Sequence, residues 1–468
     1  GMVYDRGVYH LFYQHYPHDV VWGPMHWGHA LSKDLIHWEH RPIALQPDEK
    51  GYIFSGCAVA DVNNSSGLGT EENYPLVALF TYHDEQAKQT GAKSFQSQAL
   101  AYSLDQGESW EKYLGNPVLV EESLIDFRDP KVFWHQGIEQ WVMILACGDH
   151  IRVYHSSNLI EWKYVSSFGE GMGSHAGVWE CPDLFELKVK GSEHSKWVML
   201  VSLVKGGPNG GSATQYFIGD FDGFTFTNDG TNEEIRWIDY GTDNYAGVSW
   251  SNAPSAKGEK VFIAWMNNWD YATATPTISW RGAMTLPRAT FLIEVDEQIY
   301  LGMKPHDHML ELREEELMLA RTYPKHTSLA YTADISKTPL LELMMNSWEE
   351  GIASCEMKFS NEIGECLTIQ IERSRNELLL DRGKMQNEEL GNLFNPVLKA
   401  PLIGAAAKEG IRIFLDTSSV EVFSCGGAIN MTAQIFPKES FNKMELSFQG
   451  SELPEVDLSL YKLRSIWK

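Results

Sequence analysis

Two carboxyls in this sequence stand where a charge is poorly solvated. Asp129 lies in Asp126-Phe127-Arg128-Asp129-Pro130, with a guanidinium beside it and a proline fixing the backbone that follows. Glu180 lies in Gly177-Val178-Trp179-Glu180-Cys181-Pro182-Asp183, between an indole and a thiol. Burial and nearby negative charge raise a carboxyl's pKa, which is what a general acid working near neutral pH requires. Splitting a glycosidic bond with retention of configuration uses two carboxyls about 5–5.5 Å apart, one as nucleophile and one as acid and then base. Taken singly, each fragment has a plainer reading: an Asp-Pro turn at Asp129, and a strand-end glutamate facing solvent at Glu180. Other residues offer less. Cys57, Cys147, Cys181, Cys355, Cys366 and Cys425 show neither ligand spacing nor a disulfide framework. His26 and His29 fall in a strand-like stretch, where residues three apart point to opposite faces, so no metal centre is expected.

The elements that must position these acids are β-strands. Over the first 300 or so residues, short aromatic-rich apolar runs alternate with Gly, Asp, Asn and Pro, without long helical periodicity. A loose repeat is visible: an apolar run at 8–14, 76–82 or 141–147 is followed by a polar turn leading to Trp38, Trp110 or Trp162. Two more apolar runs, 197–204 and 261–265, extend the series. Each unit reads as an inner hydrophobic strand and then an outer one. Five such units predict an all-β fold and fit a five-bladed β-propeller over residues 1–303, with loops from every blade converging on a central channel; an irregular β-sandwich with chance repetition is the alternative.

Near residue 303 the pattern changes. The acidic run LELREEELMLAR predicts a short helix within a linker, 304–324. Beyond it Leu367, Ile369 and Ile371 alternate with Thr368, Gln370 and Glu372, as in a half-buried sheet. Runs at 411–415 and 420–423, then Gly426-Gly427 and 428–435, read as a hairpin. Residues 325–468 are therefore expected to form a β-sandwich.

Composition narrows the function classes. A chain of 468 residues exceeds one ordinary core and predicts two domains. With 63 acids against 38 bases, a formal charge of −25, it lacks the basic surface of a nucleic-acid binder. Its apolar runs are strand length, well short of the ~20 residues of a spanning helix, so no membrane partner is expected. Sixteen Trp, 19 Tyr and 21 Phe suit sugar faces and β cores equally. No cofactor is expected, and the sequence does not fix an oligomeric state. An export signal upstream of Gly1 would imply a secreted or periplasmic protein; otherwise it would be cytoplasmic.

Together the fragments resemble an ordered set of family motifs. Trp22-Gly23-Pro24-Met25-His26-Trp27-Gly28-His29, Phe54-Ser55-Gly56, Phe127-Arg128-Asp129-Pro130 and Trp179-Glu180-Cys181-Pro182 are similar to those of glycoside hydrolase family 32, the invertases, levanases and inulinases. The resemblance continues through Gly206-Gly207-Pro208-Asn209-Gly210-Gly211, Asp239-Tyr240-Gly241-Thr242-Asp243 and Trp280-Arg281-Gly282-Ala283-Met284-Thr285-Leu286-Pro287-Arg288 to Ser418-Ser419-Val420-Glu421-Val422-Phe423. It covers nearly the whole chain and implies release of terminal β-fructofuranosyl units from fructan or sucrose with retention. It implies that Glu180 is the acid/base, and that Asp129 is a transition-state stabiliser with Arg128 beside it. Gln14, Trp22, Phe54 and Ser55 correspond to positions lining a fructose pocket, and Trp269 to an aromatic wall. Trp27 reads instead as a packing residue. The runs at 206–211 and 239–243 resemble exo-acting levanases and inulinases more than plant-type invertases.

The resemblance also implies a nucleophilic Asp in an Asn-Asp-Pro-Asn-Gly segment just before the strand at Met2. The sequence opens at Gly1, so the printed chain is expected to lack that carboxyl and to be inactive. Asp5, in Tyr4-Asp5-Arg6-Gly7, reads as a hairpin-turn residue, not a substitute. Alternatives are a non-catalytic fructan-binding protein, a fructosyltransferase, and a related five-bladed hydrolase of arabinan or xylan.

Overall fold

Short apolar runs punctuated by turn residues form antiparallel neighbours, and the computed structural model of the protein arranges them in seven sheets. It describes residues 1–467 apart from 256, 348–350, 386–389 and 452–455. Among the described residues the only α-helix is Glu85–Gln89, capped by Asp84, whose carboxylate accepts from the Ala87 N–H.

Each of the first five sheets is built on four antiparallel strands in chain order. Their first strands are Met2–Asp5, Tyr52–Ala60, Phe127–His135, Trp179–Lys188 and Tyr245–Ser249, and each packs against the next. The fifth returns to the first: Tyr4 N donates to Ser251 O at 2.9 Å, and Val3 pairs with Ser251 in parallel. Five first strands thus stand side by side. Between them Lys131 Nζ donates to Ser249 O at 2.6 Å and to Asp183 at 3.2 Å, while Asp183 accepts from Ser249 N at 2.6 Å. That buried ion pair ties the third, fourth and fifth first strands together.

The apolar runs that the sequence suggests as innermost are the second strands instead: Val8–His15, Leu76–His83, Gln140–Cys147, Ser195–Leu203 and Lys260–Met266. A second strand is paired on both edges and covered on both faces, so it reads as a continuous apolar run; Leu76–His83 is buried at every position. First strands carry polar residues and broken register, which hides them from a hydrophobic pattern.

The remaining two sheets face each other. The six-stranded one runs from Arg313–Glu316 at one edge to Ile429–Gln434 at the other, and the seven-stranded one from Ala320–Lys325 to Val397–Pro401. Leu343, Ile413, Val422 and Met431 of one meet Leu329, Met357, Ile369 and Leu446 of the other in a single buried core. The predicted hairpin is present, Ser419–Ser424 pairing with Ile429–Gln434 across Cys425–Gly427. The predicted linker helix is reduced to one short 3-10 segment, Asp307–Leu312, that takes in only the first three residues of the acidic run. The residues that follow form the strand Arg313–Glu316, paired with Leu458–Leu463. Its helix propensity loses to cross-strand partners: Arg313 donates to the buried Glu342 at 2.7 and 2.8 Å and lies over the Tyr461 ring at 4.2 Å.

Candidate active site

Four of the five first strands slip register near one end, between Phe54 and Gly56, Arg128 and Lys131, Glu180 and Asp183, and Tyr245 and Val248. At three of these slips a non-glycine residue takes a positive φ: Asp129 at 65°, Cys181 at 46° and Ala246 at 53°. Bulges of this kind re-aim side chains, and backbone strain concentrates where function demands a set direction. The site assembles on these bulges.

Arg128 is its hub. Its Nε and Nη2 donate to Glu180 Oε1 at 3.2 and 3.0 Å, Nε lies 4.0 Å from Asp129 Oδ2, and Nη1 donates to Asp126. One buried guanidinium therefore holds both sequence-predicted carboxyls together. Burial pushes the Asp129 carboxyl up to about 6; Arg128 opposes the rise, and the Glu180 charge adds to it. Asp129 Oδ2 accepts from Cys181 N at 3.0 Å, and its own N–H donates to Thr81 Oγ1 at 3.0 Å, so backbone and side chain are both fixed. Glu180 Oε2 accepts from the Tyr245 hydroxyl. Burial, and next the Glu180 charge, push that phenol well above its ordinary value, which keeps it a donor.

The remaining predicted residues flank this pair. On one side Phe54 stacks on His83, centroids 4.2 Å apart and planes within 7°. His83 meets Gln96 at 3.1 Å, and Gln96 Oε1 accepts from Arg128 Nη1 at 3.4 Å and Phe127 N at 2.9 Å. Trp22, 48% exposed, meets the Phe54 ring edge-on at 6.5 Å, and Gln14 Nε2 donates to Ile53 O at 3.1 Å. Ser55 sits in the bulge between Phe54 and Gly56. On the other side Tyr245 packs on Trp265 at 6.2 Å, and Trp265 on Trp269 at 5.3 Å. Trp269 is thus linked to Glu180 through Trp265 and Tyr245. Trp27 is buried, as expected of a packing residue, its Nε1 donating to Phe54 O at 3.0 Å. Asp5 closes the first hairpin, accepting from the Tyr74 hydroxyl at 2.6 Å.

Sequence reasoning missed Tyr245, Trp265, His83 and Gln96. They belong to strands of the fifth and second sheets and meet the carboxyls only through the fold; none stands in a chemically suggestive context.

Residues 1–305 match the glycosyl hydrolases family 32 N-terminal domain, and residues 313–462 match the family 32 C-terminal domain. The chain belongs to glycosyl hydrolase family 32. It is a glycosidase. A levanase of Bacillus subtilis (strain 168) is 42% identical over 474 residues, spanning 100% of this chain and 68% of the levanase. An extracellular exo-inulinase of Aspergillus niger is 36% identical over 498 residues, spanning 100% of this chain and 92% of its own length. Among solved family 32 relatives, the exo-inulinase of Aspergillus awamori superposes with a TM-score of 0.89 at 32% identity, over 100% of this chain and 95% of the other. The β-fructofuranosidase of Schwanniomyces occidentalis, complexed with fructosyl-erythritol, gives 0.86 at 28% identity, over 99% and 94%.

Proposed function

We propose that this family 32 glycosidase releases terminal fructose from levan, inulin or sucrose with retention of configuration. The observation that carries the reading is the Asp129–Arg128–Glu180 cluster between two aromatic flanks, Trp22 and Phe54 on one side, Trp265 and Trp269 on the other. Apolar ring faces pack against a sugar's C–H face while a few polar groups fix its orientation. Glu180 protonates the leaving oxygen and then takes a proton from water, and Asp129 holds ring hydroxyls. Gln14, Trp22, Phe54, Ser55, Arg128 and Trp269 line the fructose site. The names of the levanase and exo-inulinase relatives support this substrate class. The five chain-ordered sheets are read as propeller blades, ending with the strand Gln298–Pro305, and the sandwich as a separate domain that begins at the strand Arg313–Glu316, upstream of the boundary at 325 that the sequence suggests.

The nucleophile is assigned to a residue preceding Gly1. The half-buried Gly1 nitrogen donates to Phe12 O at 3.0 Å, just ahead of the first strand Met2–Asp5, which packs against Tyr52–Ala60. Arg128, Asp129 and Glu180 lie at the starts of their own first strands, so a carboxylate just upstream of Met2–Asp5 would enter at the corresponding end. A polypeptide of residues 1–468 alone is proposed to fold and bind sugar without turnover. The test is fructose release from levan and inulin by that polypeptide and by one extended upstream with Trp-Met-Asn-Asp-Pro-Asn. The extended form should release free fructose from the first minutes. Early long oligosaccharides would refute the one-residue pocket. Turnover by the short form within about tenfold, a barrier gap of only ~1.4 kcal/mol, would refute the nucleophile assignment.

A further inference from the structure

Trp269 is 46% exposed and packs on Trp265, so its place depends on what holds its loop. Its N–H donates to Ser212 Oγ at 3.2 Å. The neighbouring Asn268 is buried; it accepts from Ser212 N at 3.3 Å and Asp270 N at 3.0 Å, and donates to Thr242 O at 2.7 Å. Gly211 permits this approach, because a Cβ there would stand 2.1 Å from Asn268 Oδ1. Ser212, Asn268 and Thr242 thus form a buried layer under the aromatic wall.

That layer is gripped from the sandwich at two points. Arg382 Nη2 donates to Thr242 Oγ1 at 3.0 Å, and Nη1 lies 3.4 Å from Asp243 Oδ2 and donates to Gln434 O at 2.7 Å. Tyr271, two residues beyond Trp269, donates to Asp243 Oδ1 at 2.6 Å. The second grip is Asn209, in the loop leading to Ser212. Its Nδ2 donates to Lys399 O at 2.8 Å and Tyr240 O at 2.6 Å, and its Oδ1 accepts from Lys399 N at 2.9 Å. Asn395 Nδ2 donates to Asn209 O at 2.9 Å.

We propose that the β-sandwich sets the substrate wall: Arg382 and the Asn209–Lys399 clasp hold the Ser212–Asn268–Thr242 layer and thereby position Trp269 for the sugar. Arg382 and Asn209 are positioning residues, and the proposal rests on the reading of Trp269 as a wall of the fructose site. A precise site needs its supporting shell, and here part of that shell is supplied by the other domain.

The test is a double-mutant cycle on sugar affinity, read by calorimetry with an inulin-type trisaccharide on the 468-residue chain, with urea unfolding in parallel. Arg382→Met leaves Asp243 buried without its cation and endangers folding, so Asn209→Ala carries the cycle. Asn209→Ala should weaken binding about threefold to tenfold, the loss of a hydrogen bond or two, with unfolding still a single transition. Trp269→Ala should weaken it about tenfold or more. The double variant should bind within about twofold of Trp269→Ala, because nothing is left to position. Unchanged affinity in Asn209→Ala, or losses that multiply in the double variant, would overturn the positioning role while leaving the pocket reading intact. Unchanged affinity in Trp269→Ala would overturn both.

Discussion

Tyr245→Phe removes one oxygen from the site and leaves the ring in its packing against Trp265. That oxygen donates to Glu180 Oε2, inside a site where the Tyr245 side chain is only 2% exposed. Glu180 keeps its two bonds from Arg128 on Oε1, at 3.0 and 3.2 Å, so the carboxyl stays in place but loses the partner that fixes its other oxygen. A hydrogen bond to a charged group contributes about 1.5–3 kcal/mol, and an abandoned buried acceptor bears the whole of it. In the chain extended with the upstream Asp segment, kcat/KM on inulin or sucrose should therefore fall by about 10- to 150-fold. Glu180→Gln sets the ceiling, about 10²–10⁴ for loss of general acid–base catalysis. Tyr245→Phe added to Glu180→Gln should cost little more, since both act through one carboxyl. Fructosyl fluoride needs little protonation of its leaving group, so its first step should suffer less. Steady-state rates on both substrates, with urea unfolding to establish that each variant folds, make the assay. A loss below about twofold on sucrose, given the expected size of the bond, or equal losses on sucrose and the fluoride, would refute the assignment of Glu180 as the acid held by Tyr245.

Two further outcomes concern stability. Arg288→Met should destabilise by about 3–5 kcal/mol in urea unfolding, because Arg288 is fully buried between Glu421 at 2.7 Å and Asp239 at 3.0 Å, which would both be stranded; a loss below about 1 kcal/mol would show that the pair is relieved by its other hydrogen bonds. His10 and His29 stack with ring centroids 5.3 Å apart and share a hydrogen bond, Nδ1 to Nε2, at 3.1 Å; burial pushes their pKa values down to about 4 and about 3. Both folded values lie below the unfolded one, so the unfolded chain binds more protons; the pair's contribution is fully present above about pH 6.5 and fades as pH falls toward about 4. His29→Gln should flatten the fall in urea midpoint between pH 7 and pH 4.5 relative to the unsubstituted chain, and an unchanged slope would place the acid sensitivity elsewhere.

The carboxyls were legible because each strand end that carries one also carries its helpers in sequence: Arg128 before Asp129, Trp179 and Cys181 around Glu180. The residues completing the site were not, because Tyr245, His83 and Gln96 arrive from other sheets and look like ordinary strand positions. The second-strand runs stood out for a packing reason, burial on both faces. The first strands were hidden by the very bulges that aim Asp129 and Cys181. The acidic run at 313–316 misled because propensity is a weak prior against a defined partner: Arg313 on Glu342 and the pairing with Leu458–Leu463 outweigh the helical preference of Glu-rich sequence.

The same facts explain why the site's aromatic and acidic parts behave differently in the fold. Asp129 and Glu180 stand on first strands that pack against one another and are pinned by the buried Lys131–Asp183 pair, so their geometry follows from the β-framework itself. Positive φ at Asp129 and Cys181 costs on the order of 1–3 kcal/mol each, and it persists because Thr81, Gln98 and the Cys181 N–H to Asp129 bond over-determine that conformation. Trp269 has no such framework. It stands on a turn, half in solvent, held through Ser212 and Asn268 by groups that the sandwich in turn holds. A substitution in the sandwich at these grips should therefore act on sugar binding through the wall and leave the Arg128-bridged carboxyls in register.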